Sequence, residues 1–184
     1  MSTLEPTVVP GRSCDNCTMC CKIMGITELD KPRNQECPNC DIGKGCKIYA
    51  DRPQSCRDFH CLYLTDGRLA EHWKPSLSRM LLTNYQKSRL CVHVDTDRPD
   101  AWRKEPYYSD LKRWSLAASR NKGVIAVYVG DNLTVILPTR DKSFGRIIGD
   151  RIFKIVTRDG PQGPEFDVDL VAKDGPSLKN PNGF

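Results

Sequence analysis

Nine of the ten cysteines in this chain fall between residues 14 and 61. Besides cysteine, that segment holds only ten apolar residues, which are too few to fold 48 residues by hydrophobic packing alone. Disulfides or bound metal must therefore supply the remaining stability, and the choice between them follows the redox compartment. The N-terminal sequence MSTLEPTVVPGR has neither a basic start nor an apolar stretch, so no secretory signal is predicted. That reading and the odd count of nine favour metal.

The spacing of the cysteines is typical of metal ligands. They form three groups, Cys14-x-x-Cys17-x-x-Cys20-Cys21, Cys37-x-x-Cys40-x5-Cys46 and Cys56-x4-Cys61. A C-x-x-C turn directs two thiolates at one ion, and zinc takes four such ligands. Two separate zinc sites would use eight cysteines, and a three-zinc cluster with bridging sulfurs would use nine. An iron–sulfur cluster fits too, since Cys14, Cys17 and Cys20 repeat a ferredoxin spacing, so the ligand type leaves both metals open.

The stretch from Cys46 to Cys61, CKIYADRPQSCRDFHC, is the most specific part of the sequence. With the CxxCxxCC motif upstream, it resembles the zinc- or iron-chelating family of cysteine-cluster proteins often called YkgJ-like. The resemblance implies metal chelation, by zinc or by iron–sulfur, and no particular reaction. Many relatives have one cysteine where this chain has two, so either eight or nine thiolates bind. The implied ligands are Cys14, Cys17, Cys20, Cys21, Cys46, Cys56 and Cys61, with one further ligand from Cys37 or Cys40.

The formal charges differ along the chain. Residues 14–61 carry seven basic and seven acidic residues, whereas residues 62–184 carry twenty and fifteen. A positive C-terminal part is typical of a solvated surface, and a nucleic-acid-binding zinc module is a third hypothesis. Nine thiolates exceed the charge of three zinc ions. Basic residues near the cysteines either screen that excess or are ordinary surface charges, and they are Arg12, Lys22, Lys44, Lys47, Arg52 and Arg57.

The chain divides into four predicted parts. Residues 1–13 are a flexible leader, residues 14–61 a cysteine-rich metal-binding module, residues 62–173 an α+β domain, and residues 174–184 a flexible tail. Hydrophobic patterns predict one main helix over 106–119, with Leu111, Trp114 and Ala118 on one face. The predicted strands are 79–83, 90–94, 124–129, 133–137, 152–158 and 166–171. The expected class is therefore α+β, a small cysteine-rich module followed by a small domain with a mainly antiparallel sheet.

The remaining cysteine and the histidines are assigned no chemistry. His60 is expected to be a surface or supporting residue, and His72 lies in a predicted loop. Cys91 and His93 are two apart in a strand, so they share a face, where ordinary packing is expected. Pro53 is predicted to open a short helix behind an Asp51 N-cap. The sequence has no Ser/His/Asp set, no recognisable carboxylate pair and no phosphate loop, which leaves open whether the protein is an enzyme.

Two functions are carried forward. In the first, two or three zinc ions hold the module, which presents a surface to an unidentified protein partner. In the alternative, one or two iron–sulfur clusters serve in electron transfer or in an oxidoreductase. The chain has no run of about 18 apolar residues, so no membrane association is expected. A cytoplasmic location is predicted, and nucleic acid is not a favoured partner.

Overall fold

The cysteine-rich segment is built from short elements. The structure is a computed structural model that describes residues 7–14, 16–85, 88–147, 149, 151–161 and 163–172. Within residues 14–61 its helices and strands are α1 (Met19–Ile23), β1 (Cys40–Asp41), β2 (Gly45–Cys46) and α2 (Gln54–Asp58), with 3-10 turns at Thr27–Leu29 and Tyr49–Asp51. The helix expected after Pro53 is α2. The expected cap was wrong, because Pro53 rather than Asp51 occupies the N-cap position.

The longer elements follow. The helices are α3 (Leu62–Thr65), α4 (Pro75–Ser78) and α5 (Tyr107–Ser119), with 3-10 turns at Glu71–Trp73 and Ala101–Arg103. The strands are β3 (Met80–Tyr85), β4 (Arg89–Val94), β5 (Val124–Val129), β6 (Asn132–Ile136), β7 (Asp141–Arg146), β8 (Arg151–Gly160) and β9 (Gly163–Ala172). Every predicted strand is present, and α5 is the predicted main helix.

Five strands form the central sheet, in the order β3-β4-β5-β6-β7. Neighbouring strands pair antiparallel except β4 and β5, which are parallel because α5 lies in the connection between them. Strands β8 and β9 form a separate hairpin, and β1 pairs with β2 inside the cysteine-rich segment. The α+β class with a mainly antiparallel sheet and one main helix is therefore confirmed. The sequence analysis missed β7 and the parallel pair.

One hydrophobic core joins the cysteine-rich segment to the sheet. Met19, Ile23 and Met24, from α1 and the residue after it, are buried together with Leu82 of β3 and Val92 of β4. Burial of this apolar surface is the main favourable term in folding, at roughly 25 cal/mol per Å². The first helix of the cysteine-rich segment is therefore held to the sheet by ordinary packing.

Helix α5 covers the same face of the sheet. Leu111 is fully buried, and Trp114 and Ala118 pack against the shared core, as their helical spacing predicted. The ring of Trp114 lies 4.9 Å from that of Trp73, which is itself fully buried. These large aromatic surfaces fix the helix on the sheet.

The β8–β9 hairpin covers the opposite face. Ala126 and Leu133 of the central sheet are buried with Val168 of β9. Beside them Asp167 is almost fully buried, and its carboxylate accepts a hydrogen bond from the ammonium of Lys142 at 3.1 Å. The central sheet is therefore buried on both faces, which agrees with the continuous apolar run of β5.

A buried ion pair also fastens α1 to the sheet. The ammonium of Lys22 lies 2.7 Å from the carboxylate of Asp95, which is completely buried and also contacts Arg79. Burial would raise the pKa of Asp95, but hydrogen bonds from Lys22, from the Asp97 backbone and from Arg79 outweigh it and lower that pKa. Asp95 is thus ionised and bound on two sides.

The middle of the cysteine-rich segment differs from α1. Between residues 38 and 58, all of which the structure describes, every residue is exposed or half-buried. This stretch therefore gains little from hydrophobic burial. No helix in the described residues is long and apolar enough to cross a membrane. The predicted tail, and residues 1–6 of the predicted leader, lie outside the described residues.

Candidate metal centre

Two of the three C-x-x-C motifs fold as tight turns. The backbone N–H of Cys17 donates to the carbonyl of Cys14 at 2.7 Å, and that of Cys40 donates to the carbonyl of Cys37 at 3.0 Å. A turn of this kind places its two side chains close together, which is the geometry that makes the motif a metal ligand pair.

The other clustered cysteines are positioned by the short elements. Cys20 and Cys21 are adjacent on α1, and Cys56 lies in the middle of α2. Cys46 is the register partner of Cys40 across the β1–β2 ladder. Each local element therefore serves mainly to present a thiol.

Cys61 is positioned by the start of α3. It is the N-cap residue, and its carbonyl accepts the N–H of Leu64 at 3.0 Å. Backbone N–H groups of Leu64 and Tyr63 also bond its sulfur, which favours the thiolate. The surrounding apolar groups oppose this effect, and the thiol is almost fully buried.

The cysteines converge on one cavity of about 590 Å³. Eight of the nine clustered cysteines line it, namely Cys14, Cys17, Cys20, Cys21, Cys37, Cys46, Cys56 and Cys61. The ninth, Cys40, hydrogen-bonds with Cys21 from the wall. Residues that are up to 47 positions apart in sequence thus face a common space.

The thiols are close enough to oppose one another's ionisation. A hydrogen bond that the Cys21 thiol donates to Cys20, together with burial, raises the pKa of Cys21 far above its ordinary value. Burial and the charge of Cys21 raise the pKa of Cys40 to about 12. Burial, with the charges of Cys14 and Cys17, raises that of Cys61 to about 11. Crowded thiols of this kind ionise when a cation is placed among them, because the cation offsets the repulsion.

These interactions indicate two neighbourhoods in the cavity. One contains Cys61 with Cys14 and Cys17, whose charges act on it. The other is centred on Cys21, which hydrogen-bonds with Cys20 and Cys40. Cys56 belongs to it too, because the charges of Cys21 and Cys37 raise its pKa. These eight thiols are therefore spread over a space that is larger than one four-coordinate site needs.

Lys31 is a buried cation beside the second neighbourhood. Its ammonium donates to the carbonyls of Lys22 and Pro32, each at 3.1 Å, and to that of Met24. Burial lowers its pKa, and the charges of Cys37 and Cys21 act in the opposite direction. Among the described residues Lys31 has no salt bridge to a carboxylate. The charges of Cys37 and Cys21, followed by that of Glu36, are thus its sources of charge compensation, and sequence reasoning missed this role of Lys31.

The basic residues expected to screen the cysteines have other contacts. Arg12 donates to the carbonyl of Asp66 at 2.9 Å, and Lys22 pairs with Asp95. Arg52 lies 4.1 Å from the ring centroid of Tyr49. The others contact a neighbouring carboxylate or backbone carbonyls, and they are Lys44, Lys47 and Arg57. Lys31 is therefore better placed than any of these six residues to offset the negative charge of the thiolates.

His60 lies beside the cysteines, and His72 lies in the 3-10 turn Glu71–Trp73 rather than in the predicted loop. His60 lines the cavity, and its Nδ1 lies 3.3 Å from the Asp58 carbonyl. His72 lies 2.8 Å from the carboxylate of Asp110, far from the clustered thiols in sequence. Cys91 and His93 share a face of β4, as strand alternation predicted, and line a different cavity.

The donor set was compared with the needs of a metal. Thiols are the ligands that zinc and iron–sulfur clusters prefer, and eight of them face one cavity. No disulfide joins the cysteines that the structure describes. Across the same described residues, however, no group of three or more Cys, His, Asp or Glu side chains is arranged to hold an ion as it stands. The chemistry and location of the donors fit a thiolate metal site, and their side chains would have to draw together around the ion.

No family model, curated protein or solved structure matches this chain. The resemblance to the YkgJ-like family, which depends on CxxCxxCC and on residues 46–61, therefore stays a prediction.

Proposed function

We propose that this protein binds two or three zinc ions through its clustered cysteines, and that the metal is mainly structural. The observation that carries the proposal is the convergence of eight thiols on one cavity, with Cys40 bonded to Cys21 in its wall. The proposed ligands are the nine clustered cysteines, Cys14, Cys17, Cys20, Cys21, Cys37, Cys40, Cys46, Cys56 and Cys61.

The charge of the site supports metal rather than a set of neutral thiols. Three zinc ions with nine thiolates leave a net charge of about −3, and two with eight leave about −4. The buried ammonium of Lys31 offsets part of that excess, since the charges of both Cys37 and Cys21 act on it. With neutral thiols, Glu36 would be the remaining counter-charge of Lys31, and burying a charge without adequate compensation is costly.

The packing supports a structural role. Residues 38–58 carry Cys40, Cys46 and Cys56, yet none of these 21 described residues is fully buried. Bonds from a shared ion to these three cysteines and to cysteines of α1 would tie the stretch to the sheet. When bound, the metal supplies cross-links, and the chain supplies the ligands and the compensating charge.

Metal analysis of protein purified without oxygen tests the proposal. The expected result is two or three zinc ions per chain and a colourless solution, and Cys21→Ser should lose at least one ion. A brown solution with four or more irons per chain would favour the iron–sulfur alternative, which uses the same ligands. One metal per chain, with five or more thiols that titrate in the folded protein, would contradict a multinuclear site.

A further inference from the structure

A second cavity, of about 660 Å³, lies between the central sheet and the β8–β9 hairpin. It is on the sheet face that carries Cys91 and His93 of β4 and Tyr128 of β5, opposite to α5. Its size falls in the range of small-molecule sites, which is about 300–1,000 Å³. None of the nine clustered cysteines lines it, although Thr83 and Asn84 line both cavities.

The charges that face this cavity are mostly positive. Arg33, Arg89, Lys122 and Arg151 line it, with Asp131 as the acidic residue. Asp131 already pairs with Arg146 at 3.4 Å. Within the described part of the chain, Arg33, Arg89 and Lys122 form no salt bridge. The cavity therefore has an excess of uncompensated positive charge, which attracts anions.

Arg33 carries an unsatisfied donor at this position. Its terminal nitrogen lies 3.1 Å from Nδ1 of His93, but its Nε is buried and has no hydrogen-bond partner in the described structure. Leaving such a buried donor without a hydrogen bond costs on the order of 1–3 kcal/mol. A guanidinium has a donor fork that matches a carboxylate or phosphate. Since Nε itself is closed to solvent, an anion in the cavity would meet Arg33 at its terminal nitrogens.

His93 fixes the direction in which Arg33 points. Burial and the charge of Arg33 lower the pKa of His93 to about 3, so the imidazole is neutral at pH 7. Nδ1 then accepts from Arg33, and Nε2 donates to the hydroxyl of Thr83, 3.1 Å away. Burial raises the pKa of the adjacent Cys91 thiol to about 11, which keeps it protonated. The cavity thus offers donors for binding rather than a reactive thiolate.

The other walls of the cavity are apolar. Leu133 of the sheet and Ile155 of the hairpin line it. The guanidinium of Arg89 bridges the two layers, 4.9 Å from the ring centroid of Tyr85 on β3 and 4.1 Å from that of Phe153 on β8. A ligand here would meet positive charge on one side and hydrocarbon on the other.

We propose that this cavity binds a small amphipathic anion, whose carboxylate or phosphate contacts Arg33 and Arg89 and whose apolar body packs against Leu133 and Ile155. The proposal does not depend on the metal. It requires the cationic side chains and the apolar walls to act on one molecule.

Fluorescence titration of the protein as purified tests the proposal, with two probes of the same shape. Anilinonaphthalene sulfonate carries an anionic group, and phenylnaphthylamine lacks it. The sulfonate should bind at one site per chain, at least about tenfold more tightly than its neutral analogue. Displacement by octanoate or octyl phosphate, but not by octanol, would support the proposal and show which head group is preferred. Amide shifts on binding should map to β4 and β8.

Variants assign the effect to the cavity. Arg33→Gln and Arg89→Gln should each weaken sulfonate binding about tenfold or more and leave the neutral probe unchanged. Arg98→Gln removes the same charge from an exposed position outside the cavity, and should change neither probe. If Arg33→Gln does not fold, Arg89→Gln and Lys122→Gln carry the test. Equal affinity for the two probes, or unchanged sulfonate binding in the variants, would overturn the proposal.

Discussion

Removal of the metal should unfold the middle of the cysteine-rich segment and leave α1 in place. Met19 and Ile23 of α1 are buried in the core that they share with the sheet, and Lys22 pairs with the buried Asp95. None of these contacts needs metal. Residues 38–58 have no buried residue, so their attachment should depend on the thiolate bonds of Cys40, Cys46 and Cys56.

The magnitudes agree with that division. Ordering 21 residues at about 1.5 kcal/mol each costs roughly 30 kcal/mol. Two structural zinc ions at about 13 kcal/mol each contribute roughly 26 kcal/mol. Polar contacts can supply the small difference between this cost and this gain, and one of them is the hydrogen bond that the Ser55 hydroxyl donates to Glu28 at 2.8 Å. Without metal, the remaining contacts are far too weak to keep this stretch ordered.

Hydrogen exchange under reducing conditions, before and after metal removal, measures the effect. The amides of Lys47 and Arg57 donate to backbone carbonyls at 2.8 and 3.1 Å, and they should lose their protection. The amides of Met24 and Ile26, which donate at 3.0 and 2.9 Å, should keep most of theirs. Amides in β5 should change little.

Adding zinc back is the control, and it should restore protection at Lys47 and Arg57. If these amides stay protected without metal, then metal does not hold the segment and the structural role is wrong. If Met24 and Ile26 lose protection to the same extent, the shared core is not enough to hold α1, and the division of the segment is wrong.

Two further predictions concern the buried polar groups and the tenth cysteine. Asp95→Asn should lower the free energy of unfolding by about 3 kcal/mol in urea titrations, because it leaves the buried Lys22 without its main partner. The control is Asp97→Asn at an exposed position, which should lower that free energy by under about 1 kcal/mol. Folding lowers the pKa of Asp95, so its contribution to stability is complete above the unfolded pKa of about 3.9 and disappears as the pH falls through the folded pKa. In acid, the wild type should therefore be no more stable than Asp95→Asn. Cys91→Val should leave the metal content unchanged, and loss of a metal equivalent would show that Cys91 is a ligand.

The strands could be predicted because alternation and turn residues mark them locally. The missed strand, β7, has the sequence DKSFGR, in which Phe144 is the single large apolar residue. It lies at the edge of the sheet, with half-buried or exposed side chains, so hydrophobicity gives no signal there. The sequence does carry a signal for the parallel pairing of β4 with β5. VIAVYV is a continuous apolar run after a helix, which is typical of a strand in a parallel pair that is buried on both faces.

The candidate metal ligands could be named from sequence because thiols at C-x-x-C spacing carry their chemistry locally. The compensating charge could not. Lys31 is six residues from the nearest clustered cysteine, farther than several other basic residues. It reaches the thiols because its N–H donates to the carbonyl of Ile26, which closes a loop that turns the ammonium inward. Closeness in sequence to the cysteines therefore did not identify Lys31 as the compensating cation.

Arg33 lines the second cavity and not the first, so it allows their proposed functions to be separated. It belongs to the cysteine-rich segment but lies before residue 38, and the neighbouring amide of Asn34 donates to the carbonyl of Ile23 in α1 at 3.3 Å. If metal removal frees only residues 38–58, Arg33 should stay beside His93. Sulfonate binding to the second cavity should then survive metal removal with its affinity changed less than about threefold. A loss of binding that parallels the loss of metal would show that the whole cysteine-rich segment, including Arg33, detaches from the sheet as one unit.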